Sequence, residues 1–155
     1  MKQPTRNRAV TITGMYLASE TERKQVLPLF SSRPAAGFPA PGDDMVERSL
    51  DLNDLLIDRP ESTFYVRVNG DSMEGAGIFS GDILIVDRSK EPSNGSIVVA
   101  AVYGELVVKR LVGNVSSGYQ LISEQEGYMP ININDNEDCF IWGIVTGSVR
   151  IFSNR

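Results

Sequence analysis

Short apolar stretches separated by glycine and asparagine dominate the chain from residue 64 onward. They are rich in Val, Ile, Tyr and Phe, the residues that favour β-strands. The predicted strands are 64–68, 83–87, 96–103, 105–112, 119–123 and 140–152. Many short strands joined by Gly-rich turns, with little helix, are typical of a sandwich or a closed sheet. The pattern therefore predicts a mostly β fold with a compact, strand-rich body.

A single short helix is predicted ahead of these strands. It spans 49–57, with Ser49 as its N-cap and Asp51 in its first turn, and Pro60 follows its end. Its apolar positions share one face and are Leu52, Leu55 and Leu56.

The N-terminal third has a different character. Residues 1–33 show no sustained helical or strand period, so they predict an irregular arm. Residues 34–42 contain three prolines and two glycines, a composition that favours an extended and exposed segment. On composition alone, a plain linker is the preferred description of this segment.

The composition excludes several kinds of catalytic and metal-binding site. The chain has 155 residues, no histidine and one cysteine, Cys139. Catalytic triads that use histidine, Cys-His pairs and histidine-based zinc sites are therefore excluded, as are internal disulfides. No metal or cofactor site is expected. Any acid–base chemistry has to come from Asp, Glu, Lys, Tyr or water.

Charge and hydropathy bear on what the protein binds and where it is located. Residues 1–36 carry a net charge of +4 and the remainder carries −9, which gives the total of −5. An acidic body argues against strong direct DNA binding. No apolar run approaches the roughly 18 residues of a membrane helix, and the N-terminus lacks the apolar core of a signal peptide. The expectation is a soluble, cytoplasmic protein.

Two residues are candidates for catalysis. Ser72 follows the predicted strand 64–68 in a Gly-containing turn, where its hydroxyl can project beside backbone N–H groups; the alternative is an ordinary turn residue. Lys109 lies in the predicted strand 105–112. If it is buried, desolvation lowers its pKa and makes it a general base for a serine. The alternative is a strand near a sheet edge with its charge in water.

A family resemblance joins these two residues. Gly70-Asp71-Ser72-Met73, the 107–111 stretch around Lys109 and the Ala36-Gly37 pair resemble the LexA-like self-cleaving Ser-Lys peptidases, and among them the UmuD branch. The separations fit too, with 36 residues from Ala36 to Ser72 and 37 from Ser72 to Lys109. The likeness covers about residues 33–151. The first 36 residues are too few for the DNA-binding domain of a repressor, which favours the UmuD branch.

The resemblance implies a fold and a set of roles. The fold is the LexA-like C-terminal peptidase fold with an extended N-terminal arm. The chain divides into the arm at 1–36, a tether at 37–48 and a peptidase and dimerisation domain at 49–155. Ser72 is the nucleophile, Lys109 the general base and Ala36-Gly37 the cleavage site. The backbone N–H groups of Ser72 and Met73 form the oxyanion hole.

The resemblance also implies partners. They are a second copy in a homodimer, a RecA filament on single-stranded DNA that promotes the cut, and a UmuC-like Y-family polymerase catalytic subunit. Two other functions remain open from the residues. One is a non-enzymatic β-domain adaptor, and the other is a signal-peptidase-like enzyme that acts on other proteins, which the absence of a membrane anchor disfavours.

Overall fold

A computed structural model describes residues 9–18, 24–30, 46–133 and 137–153. Within these ranges the chain is mostly strand. The strands are β1 (Thr11–Leu17), β2 (Leu27–Phe30), β3 (Val46–Leu50), β4 (Thr63–Asn69), β5 (Ile83–Asp87), β6 (Ile97–Val102), β7 (Glu105–Asn114), β8 (Gly118–Ile122), β9 (Ile131–Asn132) and β10 (Cys139–Val149). One α-helix, α1 (Leu52–Leu56), and two 3₁₀ helices, Pro60–Ser62 and Glu74–Ala76, complete the described elements.

Eight strands form one antiparallel sheet that closes on itself. Their order is β1-β4-β5-β10-β6-β7-β8-β9, and β1 makes an additional pairing with β7. The closure occurs at Thr11, which is the Cα partner of Asn69 in β4 and of Val107 in β7. The N-terminal strand therefore fills the gap between the strand that precedes Ser72 and the strand that carries Lys109.

The core consists of apolar side chains on the buried positions of these strands. One cluster consists of Val10, Val66, Val68, Met73, Ile78, Leu84, Val86, Val99 and Val108. A second consists of Val98, Ala100, Val102, Val107, Leu111, Leu121, Cys139 and Ile144. Adjacent residues of β6 and β7 fall in different clusters, because successive side chains of a strand point to opposite faces of the sheet.

The mostly β fold predicted from the sequence is confirmed. The six predicted strands correspond to β4, β5, β6, β7, β8 and β10 with small shifts at their ends. The expectation of an N-terminal arm without strands is wrong for β1 and β2. A bulge between Ile12 and Gly14 shifts the alternation of β1, which hides its period of two in the sequence.

The predicted helix is shorter than expected, and its cap is different. It spans Leu52–Leu56, and Ser49 lies in β3. The cap is Asp51, whose Oδ1 accepts a hydrogen bond of 2.8 Å from the backbone N–H of Asn53. The predicted apolar face is not buried, because Leu52 and Leu55 are exposed.

Strands β2 and β3 form a separate antiparallel pair. Leu27 is the Cα partner of Leu50, and Phe30 is the partner of Val46. The chain therefore reverses direction between residues 30 and 46, the stretch that contains the predicted cleavage site. Across the described ranges, no helix has both the length and the apolar character needed to cross a membrane.

A candidate serine–lysine site

Ser72 lies in the turn that leads from β4 into the 3₁₀ helix Glu74–Ala76. Gly70 opens the turn with a φ of 112°, a conformation that glycine adopts without strain. The Ser72 side chain is fully buried. Its Oγ accepts a hydrogen bond of 2.8 Å from the backbone N–H of Val10, a residue 62 positions earlier in the chain.

The turn is held against the loop that follows β8. The backbone N–H of Glu124 donates to the carbonyl oxygen of Ser72 over 2.8 Å, and the N–H of Gly75 donates to the Glu124 carbonyl over 2.9 Å. A Cβ on Gly75 would lie 2.4 Å from that carbonyl oxygen, so the close approach requires glycine. These bonds fix the backbone on both sides of the Ser72 hydroxyl.

Lys109 lies in β7, between β6 and β8, and only 5% of it is exposed. The alternative of an edge strand with its charge in water is therefore wrong. Burial lowers the pKa of Lys109 below its ordinary value, because a charged ammonium loses its hydration in the interior. The Nζ atom donates a hydrogen bond of 2.6 Å to Ser123 Oγ at the end of β8.

Tyr128 lies between the two candidates. Its hydroxyl donates to Asp71 Oδ1 over 3.1 Å, and its ring centroid is 5.2 Å from the Lys109 Nζ. Burial, and then the hydrogen bond and the charge of Asp71, raise the pKa of Tyr128 to about 12. The phenol therefore stays neutral under conditions that deprotonate a lysine of lowered pKa.

Two short series of contacts thus connect Lys109 with the Ser72 turn. One runs from Lys109 to Ser123, whose neighbour Glu124 is bonded to the Ser72 backbone. The other runs through Tyr128 to Asp71, the residue before Ser72. The hydrogen bond of the Lys109 amine goes to Ser123 and that of the Ser72 hydroxyl comes from Val10, so within the described residues the two predicted catalytic groups are linked only through neighbouring residues.

The other predicted site residues are placed less completely. Met73 directly follows Ser72 and is fully buried. Ala36 and Gly37 lie outside the described residues, although β2 and β3 flank them in sequence. The chemical roles of Ser72, Lys109 and the Ser72 and Met73 N–H groups stay predictions.

Sequence reasoning missed four contributors to this site, namely Val10, Ser123, Glu124 and Tyr128. Ser123 belonged to a predicted strand, but nothing in that strand's pattern marked its hydroxyl as the partner of a lysine. Glu124 and Val10 act here through backbone groups, which every residue type offers. Only the closed sheet brings these residues together.

Comparison with known proteins identifies the family of this chain. The Peptidase S24-like family model matches residues 28–146, a range that contains Ser72, Lys109 and the Ala36-Gly37 pair. The chain is 41% identical over 121 residues to Protein ImpA of Escherichia coli, covering 78% of this chain and 81% of that protein. It is 36% identical over 143 residues to Protein MucA of Escherichia coli, covering 87% and 92%.

A repressor is also similar over most of this chain. The LexA repressor of Shewanella sediminis is 35% identical over 148 residues, which are 95% of this chain and 69% of the repressor. The resemblance drawn from the Ser72, Lys109 and Ala36-Gly37 motifs is thereby confirmed. The family model spans well over half of the sequence, and the chain belongs to the Peptidase S24-like family.

Proposed function

We propose that this protein is a self-cleaving serine peptidase of the UmuD type, which cuts its own Ala36–Gly37 bond with Ser72 as nucleophile and Lys109 as general base. The cut separates residues 1–36 from residues 37–155. It acts as a switch for a regulatory subunit of an error-prone translesion DNA polymerase in the SOS response. The observation that supports this most is the burial of Lys109 beside the turn that holds Ser72.

The buried lysine is the central chemical requirement. The chain has no histidine, so another group must accept the serine proton. An ordinary lysine is protonated at neutral pH and cannot do this. Burial lowers the pKa of Lys109 and raises the neutral fraction, which gives the amine the capacity of a general base.

The reaction then follows the serine acyl-transfer scheme. Neutral Lys109 takes the proton from the Ser72 hydroxyl as Oγ attacks the carbonyl carbon of Ala36. The N–H groups of Ser72 and Met73 stabilise the oxyanion. Lys109 gives its proton to the departing Gly37 amine, and the C–N bond breaks. Water, activated by the same amine, hydrolyses the acyl-enzyme and restores the Ser72 hydroxyl.

The β2–β3 pair supports this assignment of the scissile bond. The two strands pair antiparallel with each other, and the Ala36–Gly37 bond lies between them in the sequence. Small residues at Ala36 and Gly37 suit close backbone approach to a nucleophile. The prolines that follow favour the extended conformation in which a peptide adds to a sheet.

The biological role rests on the family. We propose that a RecA filament on single-stranded DNA promotes the cut, and that residues 37–155 form a homodimer which binds a UmuC-like Y-family polymerase. Cleavage divides the chain into a segment of charge +4 and a body of charge −9, so a later release of the segment changes the surface field greatly. A subunit with this acidic body would act through protein contacts rather than by direct DNA binding.

Intact mass against time tests the peptidase. The purified full chain is incubated at pH 7 and near pH 10, beside Ser72→Ala and Lys109→Ala. We expect fragments 1–36 and 37–155 from the unchanged chain only, with faster cutting near pH 10 because a larger fraction of Lys109 is then neutral. Each catalytic substitution should slow the cut at least about a hundredfold.

Two matched control substitutions distinguish loss of a catalytic residue from the general effects of a substitution. Ser116→Ala changes an exposed serine, and Lys90→Ala changes a surface lysine that pairs with Asp58. Both should cut at the unchanged rate. If every protein stays whole even with RecA, ATP and single-stranded DNA, the peptidase proposal fails and a non-enzymatic adaptor remains.

A further inference from the structure

Strand β1 lies directly against the Ser72 hydroxyl. The backbone N–H of Val10, the residue that leads into β1, donates to Ser72 Oγ over 2.8 Å. The next residue, Thr11, pairs with Asn69 of β4 and with Val107 of β7. The N-terminal segment therefore occupies the space between the strand that leads to the nucleophile and the strand that carries Lys109.

This segment is bound by both its backbone and its side chains. Val10 is only 1% exposed and belongs to the cluster that contains Met73. Ile12 and Met15 pack against the same cluster. Pairing with β4 continues along the strand to Leu17, opposite Phe64, and Ala18 beyond it is again buried. The contact is thus an integrated part of the fold.

A peptide that is cut at Ser72 has to reach the same place. Its scissile carbonyl carbon must approach Oγ, which the Val10 N–H now contacts and which has no exposed surface while β1 is in place. Extended peptides bind such positions by pairing with the neighbouring strands. The segment 9–18 and a scissile segment therefore cannot occupy the groove between β4 and β7 together.

We propose that residues 9–18 are an occluding strand, and that the groove between β4 and β7 next to Ser72 is a strand-binding surface whose resident occupant is this segment. This inference rests on the proposed self-cleavage. It adds that β1 must leave the groove before the Ala36–Gly37 bond can enter. The rate of cutting is then limited by the population in which β1 is displaced.

A reversible crosslink tests whether β1 must move. Thr11→Cys and Asn69→Cys create a cysteine pair at positions that face each other across β1 and β4, in a chain whose own thiol is removed by Cys139→Ala. Paired antiparallel residues have Cα separations of about 4.5–5.5 Å, which a disulfide spans. We expect oxidation to slow self-cleavage at least about tenfold, and reduction to restore it.

The matched control is a crosslink between two positions outside β1, five or more residues along β7 from Val107, where β1 pairs with that strand. Val112→Cys and Gln120→Cys, in the same background, face each other across β7 and β8. This disulfide should leave the rate unchanged. If the chain with crosslinked β1 cuts as fast as its reduced form, the occluding strand is refuted.

The covering of residue 72 by β1 can also be measured without any cleavage. In a Ser72→Cys, Cys139→Ala chain, the rate at which iodoacetamide alkylates residue 72 reports access to the groove. Ile12→Asp places a charge against the core and should raise that rate at least about tenfold. Thr13→Asp changes the neighbouring exposed residue and should not.

The crosslinking and alkylation experiments distinguish a failure of the self-cleavage proposal from a failure of the occluding-strand proposal. If the reduced crosslink variants never cut, the self-cleavage proposal fails, and alkylation still decides whether β1 covers residue 72. If the parent, Ile12→Asp and Thr13→Asp chains alkylate at one rate below their melting temperatures, the occluding strand is wrong whether or not the chain cuts itself.

Discussion

Lys109, the proposed general base, is buried at the expense of stability. Burial disfavours its charged form, and the ring of Tyr128 and the hydroxyl of Ser123 offset only part of the lost hydration. Its pKa is lower in the folded chain than in the unfolded chain. Protonation therefore favours unfolding, and the stability contribution of this group rises as the pH increases towards its ordinary pKa of 10.5.

Lys109→Met should therefore stabilise the fold while it abolishes cutting. Methionine fills a similar volume without an amine, so we expect the melting temperature to rise by about 2–5 °C at pH 7. The difference should shrink towards pH 10, because a growing fraction of Lys109 is neutral as the pH rises. Thermal unfolding between pH 7 and pH 10, in a Ser72→Ala background that stays whole, measures both effects.

The exposed Lys90 provides the control for that series. Lys90→Met loses a surface pair with Asp58 and should show no comparable pH-dependent gain in melting temperature. A melting temperature of Lys109→Met below that of the parent at every pH would contradict the destabilising role assigned to the buried amine.

On the scale of secondary-structure elements, one carboxylate bonds both the chain just before β2 and the start of α1. Asp51 caps α1 through Asn53 and accepts a second hydrogen bond of 2.8 Å from the backbone N–H of Gln25. The bond to Gln25 is the largest cause of the lowered pKa of Asp51, and the bonds from Asn53 and Asp54 add to it. Asp51 thus connects the chain before the predicted scissile bond with the chain after it.

Asp51→Ala should loosen both connections at once. We expect the amide hydrogens of Gln25 and Asn53 to exchange roughly tenfold faster at pH 7, because both lose their acceptor. In the unchanged chain the contribution of the carboxylate is present above pH 3.8, the ordinary pKa, and is lost as the pH falls through the lower folded value. Hydrogen exchange resolved by residue, in the Ser72→Ala background, measures the first effect.

Asp54→Ala is the corresponding control. It removes an exposed ion pair with Lys24 and leaves the cap intact, so exchange at Gln25 and Asn53 should not change. If these two amides exchange as slowly in the Asp51→Ala chain as in the unchanged chain, another group holds the N-terminal end of β2.

On the scale of the molecule, the proposed cut falls between two parts of one folded body. Residues before the scissile bond provide β1, which closes the sheet, and β2, which pairs with β3. Breaking one peptide bond removes none of these contacts. The opposite net charges of the two fragments also attract each other.

Fragment 1–36 should therefore stay bound to 37–155 after self-cleavage. We expect both masses in one complex by native mass spectrometry at low salt, and partial release as salt screens the charges. Ile12→Asp should release the fragment more readily than Thr13→Asp. Complete dissociation of the fragment from all three proteins at low salt would show that β1 contributes little binding free energy.

Much of the fold could be predicted from the sequence. The long strands after residue 62 are strongly apolar and bounded by glycine turns, so they were found with shifts of up to three residues at their ends. Four strands were missed: β1 is interrupted by a bulge, and β2, β3 and β9 have only two to five residues. The helix cap was misplaced because Ser49 and Asp51 are both good caps, and only the extent of β3 decides between them.

The sequence by itself determined the mostly β class, the exclusion of histidine chemistry, and Ser72 and Lys109 as the candidate pair. The tertiary structure decided that both faces of β7 are buried around Lys109, and so that its amine is held by Ser123 in the interior. It also decided that Val10 covers Ser72. Local patterns record which residues favour a strand, whereas the environment of a side chain is set by residues up to 62 positions away that only sheet closure brings into contact.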